Sequence, residues 1–129
     1  MKDIVTPISP GELLDKITIL HIKSKNIQDP EKLENVQIER AALQRVIDAH
    51  IPDNMEITTL VTKLQMVNKE LWDIEDAIRD CERANSFEAE FIGLARAVYI
   101  TNDKRAALKK QINIALGSKF VEEKSYAEY

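Results

Sequence analysis

A chain of 129 residues with 44% hydrophobic and 31% charged residues is long enough for one domain with a modest core and too short for two. Only three glycines and 5% aromatic residues point to a helical protein rich in surface ion pairs and exclude one built of many short strands and turns. A net charge of -4 excludes a general binder of nucleic acid or anionic membrane, which needs a basic excess.

The opening MKDIVTPISP lacks the apolar core of a secretory signal, and no apolar run approaches the roughly 20 residues that span a bilayer. The lone Cys81 has no partner for an intramolecular disulfide. The expected setting is therefore cytoplasmic. Ser9, Pro10 and Glu12 form an N-cap, a first-turn proline and a capping box, and predict a first helix over 10–26. Asp29 and Pro30 repeat the signal for a second helix over 30–50, which IPDN stops. Asp53 and Glu56 open a third helix, expected over 54–84. Asn85 or Ser86, with Glu88, opens a fourth over 86–116, closed by Gly117. Residues 117–129 have no clear period and are left as an arm, for which Tyr126 and Tyr129 suggest docking rather than disorder.

The third helix carries the strongest pattern, Ile57, Leu60, Leu64, Val67, Leu71, Ile74, Ile78 and Cys81, at alternating spacings of three and four. The fourth repeats it with Phe87, Phe91, Leu94, Val98, Thr101, Arg105, Leu108, Ile112 and Ala115. Joined by a short turn, these two helices predict a long antiparallel coiled-coil hairpin packed on two shorter helices, an all-α fold in a single domain over 1–129. In the expected register Cys81 meets Phe91, Leu64 meets Leu108 and Leu60 meets Ile112. Two layers are polar, with Thr101 opposite Leu71 and Arg105 opposite Val67.

A guanidinium in a seam needs a partner, and Glu70 on the facing helix is the expected one. One reading makes this layer a register lock. The other makes it a pocket where Arg105, with Tyr99 and Asn102 beside it, meets an anionic ligand. Tyr99 and Asn102 belong to a second stripe, Ile92, Ala95, Tyr99, Asn102 and Ala106, expected to meet the first or second helix or a two-fold mate. Trp72 lies off the seam, half-buried under the first helix or serving as a binding anchor. Cys81 reads as a small buried apolar residue, and His21 and His50 as packing or surface residues. Asp73, Asp76 and Asp80 read as a solvated, ion-paired face rather than a metal site, with Glu75 and Arg79 paired. No phosphate loop, nucleophile elbow or zinc spacing is present, so no catalytic residue, metal or cofactor is assigned.

The blocks PISPGELLDKITIL, ELWDIED, YITNDKRAALKKQIN and EEKSY resemble a family of small bacterial and phage helical proteins catalogued only as a domain of unknown function. The resemblance covers nearly the whole chain. It implies no activity, but an association with sugar-transfer and surface-glycan functions, and with it an accessory module that recognises a nucleotide sugar, a sugar phosphate or a glycosyltransferase. The leading expectation is a non-enzymatic helical interaction protein, a homodimer that binds a protein partner or an anionic sugar. The alternative is a small all-helical enzyme of chorismate-mutase type, in which Arg79, Arg96, Lys104 and Arg105 are the available cations.

Overall fold

The computed structural model describes residues 1–129 as four helices, α1 (Pro10–Asn26), α2 (Pro30–His50), α3 (Met55–Arg83) and α4 (Ala89–Ala115), with no strand. Local chemistry explains most boundaries. Ser9 Oγ accepts the Glu12 N–H (3.2 Å) at the start of α1, and Asp29 Oδ1 accepts those of Glu31 (3.0 Å) and Lys32 (3.5 Å) at the start of α2. Each cap satisfies amides that the first helical turn leaves without partners.

Two caps differ from expectation. Asn54, not Asp53, caps α3, its Oδ1 accepting from Glu56 N (2.8 Å) and Ile57 N (3.3 Å). Asn85 does not start α4. It ends α3 in the left-handed region (φ 52°), and Ser86 N donates back to Cys81 O (2.9 Å). Gly117 (φ 63°) does the same for α4, with Ser118 N bonded to Asn113 O (2.8 Å). Both are Schellman closures, and asparagine is among the few side chains that tolerate the first position. The fourth helix consequently begins at Ala89, after Glu88, which makes no side-chain cap.

The hairpin of α3 and α4 is the most extensive packing in the molecule, and α1 lies against α2, α3 and α4. Leu14, Ile57, Leu60, Leu64 and Ile112 form the central apolar cluster, with Ile17, Ile47, Val61 and Leu108 packed on it. Gly11 on α1 approaches the α4 backbone so closely that a Cβ there would lie 2.5 Å from the Lys109 carbonyl oxygen. In contrast, α2 packs on α1 alone among the helices and has a single buried residue, Val36.

The predicted seam is modified where α1 crosses it. Asn68 is buried while Val67 and Leu71 are only partly so, and Lys109 and Asn113 are buried on α4. Phe87 and Ala115 fall outside the seam. Phe87 sits in the turn, 47% exposed and edge-on to Phe91 with ring centroids 5.3 Å apart, and Ala115 is exposed. A third helix lying in the groove of the hairpin turns the buried arc of each long helix toward itself, which a two-helix seam does not anticipate.

Candidate functional site

Midway along α1, the side chain of Asp15 is 1% exposed and reaches both long helices. Its Oδ1 accepts from Arg105 Nε (2.9 Å) and from Asn68 Nδ2 (2.9 Å), and its Oδ2 accepts from Arg105 Nη2 (2.5 Å). Asn68 Nδ2 also donates to Thr18 Oγ1 (2.8 Å), whose own proton goes to the Asp15 carbonyl (2.7 Å). No buried side-chain polar atom is left without a partner, which makes a buried polar network stabilising rather than costly. The bonds from Asp15 raise the Arg105 pKa, outweighing the opposing effect of burial.

The carboxylate that holds Arg105 therefore comes from α1 and not from Glu70. Glu70 stands two residues from Asn68, about 200° around the helix, and is exposed beside Lys104 and Leu108 on the opposite side of the hairpin. The spacing of α3 and α4 carries no information about a third helix. The visible signal was Asp15 itself, an acid on the stripe Gly11, Leu14, Asp15, Thr18 and Ile22, all of them buried.

Arg105 spends its Nε and Nη2 edge on Asp15, so both Nη1 hydrogens keep no partner within the chain. The Arg105 side chain is 28% exposed and lines an open groove of about 500 Å3 between the second half of α1 and the hairpin. Trp72 and Asn102 line the same groove, together with Asn68, Lys23 and Arg79. Three of the five residues expected at a site, Arg105, Asn102 and Trp72, are thus brought together, and Trp72 is part-buried in a groove also lined by Ile19 and Ile22 of α1. The charges in the groove nearly cancel, because Asp15 matches Arg105, Glu75 pairs with Arg79, and Asp76 and the unpaired Lys23 line the same groove.

Tyr99 stands apart from this groove. It lies on the back of α4, where the C-terminal arm returns along the helix, and meets the Tyr129 ring edge-on at 5.3 Å. The arm is tied down by Lys109–Glu122 (2.9 Å), Lys110–Glu123 (3.2 Å) and Lys124–Asp103 (3.2 Å), and by Tyr129 OH donating to Asp103 Oδ2 (2.8 Å). That last bond, with Lys124, holds the Asp103 pKa below its ordinary value. Tyr126 and Tyr129 are both largely exposed, at 81% and 80%, and Tyr129 is held by its edge contact with Tyr99 and its bond to Asp103 rather than by burial. Lys109 is the arm's inner anchor. Burial alone pushes its pKa down, but its bonds to Glu12 (2.7 Å) and Glu122 prevail and raise it.

The remaining candidates for chemistry are engaged locally. Burial and the nearby acids Glu90 and Asp80 push the Cys81 thiol up. Asp73 is bound by Lys69 and Asp80 by Arg83. No grouping of three His, Cys, Asp or Glu side chains is placed to hold a metal ion, and no helix is long and apolar enough to cross a membrane. His21 Nδ1 lies 3.0 Å from Arg40 Nη2. A guanidinium only donates, so the imidazole nitrogen accepts and the ring is neutral. Burial, Arg40 and Lys25 all lower its pKa.

Comparison with known families agrees with the extent of the resemblance, since one family's model matches residues 4–129. The chain belongs to DUF6165, a family of unknown function. No curated protein and no solved structure matches it. The DUF6165 match spans the segments that carry the groove, the Asp15–Arg105 pair and the arm.

Proposed function

We propose that this DUF6165 protein is a non-enzymatic binding module of the cytoplasm, working as a homodimer and holding a small sugar or sugar phosphate in the groove beside Arg105. The observation that carries this reading is the meeting of Trp72, Asn102 and the free edge of Arg105 in one groove. An indole face stacks on the apolar face of a sugar ring. Amide and guanidinium groups supply directional bonds to hydroxyl or phosphate oxygens. Asp15 fixes the guanidinium in place before a ligand arrives, which reduces the ordering cost of binding.

The near cancellation of charge weighs against the chorismate-mutase alternative. A dianion stabilised electrostatically needs unmatched cations around it, and Arg105 and Arg79 are already matched, leaving Lys23.

Trp72 is the only tryptophan in the chain, so its fluorescence reports on this groove alone. Titration with a neutral hexose, a hexose phosphate and a nucleotide sugar is expected to shift the Trp72 emission saturably for at least one of them. Asn102→Ala is expected to weaken that binding about tenfold without changing the melting temperature. The absence of a saturable change with all three at about millimolar concentration would refute the ligand assignment.

A further inference from the structure

The outer face of α2 is free. Inward, Leu33, Val36, Arg40, Leu43 and Ile47 face α1 and are buried or partly so. Outward, Glu31, Asn35, Ile38, Ala42, Arg45 and Ala49 recur at alternating spacings of four and three, the pattern of a second helix-pairing seam. Ile38 at its centre is 63% exposed, and Val46 on its flank is 40% exposed. A helix with one docked face ordinarily turns charge to water on the other. Here that other face carries Ile38, Ala42 and Ala49 with Val46 on its flank, and its charges Glu31 and Arg45 stand toward its two ends. On the hairpin, the comparable stripe of α4 through Ile92 and Tyr99 is met at Tyr99 by the Tyr129 ring of the arm.

We infer that this face pairs with the α2 of a second copy, antiparallel about a two-fold axis near residue 40. The inference rests on the homodimer reading above and names its surface. Charge selects the direction. Glu31 and Glu34 lie in the first half of the face and Arg45 in the second, and none of the three has an ion-pair partner within the chain. Antiparallel pairing sets Glu34 on the same flank as the partner's Arg45, twice by symmetry, whereas parallel pairing sets like charge against like. In the same register Ile38 meets the partner's Ala42, a large residue against a small one, which lets the helices approach closely. A single pair of helices 21 residues long, about 31 Å, makes an interface at the small end of specific ones. Association is therefore expected to depend on concentration.

Sedimentation equilibrium from about 10 to 500 μM tests this on the full chain. The parent is expected to rise from the 14.7 kDa monomer toward twice that mass. Ile38→Glu is expected to abolish the rise, Arg45→Glu to weaken association about tenfold, and Glu34→Arg with Arg45→Glu to restore it. Unchanged melting of the dilute variants keeps folding out of the comparison. A parent that stays monomeric throughout would overturn both the surface and the homodimer reading. A parent that associates equally well with Ile38→Glu, or a double variant that fails to recover, would overturn the α2 surface alone. Groove variants such as Asn102→Ala change ligand affinity without changing mass, so the two proposals fail separately.

Discussion

Replacing Asp15 by alanine tests whether the polar cluster holds α1 in the hairpin. The carboxylate is 1% exposed and accepts from Arg105 Nε, Arg105 Nη2 and Asn68 Nδ2. Its removal strands a part-buried guanidinium, and breaking one side of such a pair costs about 3–5 kcal/mol. Against a total stability of about 5–15 kcal/mol, that is a large fraction. A chain of 129 residues unfolds with an entropy of about 0.27 kcal/mol per kelvin, so the melting temperature should fall by about 11–18 °C. Arg105→Leu should cost about 2–4 kcal/mol, because a buried carboxylate then keeps only Asn68. The double variant Asp15→Leu, Arg105→Leu removes both charges and fills both sites, and should cost no more than about 2 kcal/mol, since apolar replacement of a buried pair is often close to neutral. Calorimetry of the parent, Asp15→Leu, Arg105→Leu and the double variant completes a double-mutant cycle with a coupling of about 3 kcal/mol or more. Additive single costs, or an Asp15→Ala cost below about 1 kcal/mol, would refute the claim that this pair locks α1 in place.

Other predictions follow from local geometry. Gly11→Ala should cost about 1–3 kcal/mol in denaturant titration, because its Cβ meets the Lys109 carbonyl oxygen at 2.5 Å and Asn113 Oδ1 at 2.8 Å; a neutral result would mean that α1 shifts freely on α4. The neutral His21 that accepts from Arg40 binds its proton less readily in the folded state than in the unfolded one. Stability should be level above about pH 6.5 and decline as the pH falls below it, by less than about 1 kcal/mol since the site is part-exposed. His21→Asn keeps an acceptor without the titration and should flatten that decline; an unchanged slope in melting temperature between about pH 6.5 and 5 would assign it to other groups. The ion pairs of the arm are largely at the surface, so about 1 M NaCl should speed proteolysis within residues 119–129 while leaving the helices resistant. Equal rates at low and high salt would show that the arm is held by other forces.

The four helices were legible because their signals are local. Ser9 and Asp29 hydrogen-bond amides two or three residues away, and the three-four spacing of Ile57, Leu60 and Leu64 records which side of one helix meets apolar neighbours. The turn was misread for a related reason. Asn85 serves equally well as a helix start or as a left-handed closure, and only the bond from Ser86 N back to Cys81 O decides between them.

Arg105, Asn102 and Trp72 were identifiable as polar or aromatic interruptions of a regular pattern, but periodicity along one helix does not say which other helix fills the space beside it. Glu70 was the nearest acid by hairpin register, and Asp15, 90 residues away from Arg105 along the chain, was the partner. Glu70 and Tyr99 left the site for the same reason, since α1 occupies one side of the hairpin and the arm another. By itself the sequence determined most of the helix boundaries and which residues break the apolar stripes, because caps and periods act within a few residues. Only the tertiary structure decided which charge meets which, because laying α1 in the hairpin groove aligns side chains whose distance along the chain carries no record of their contact.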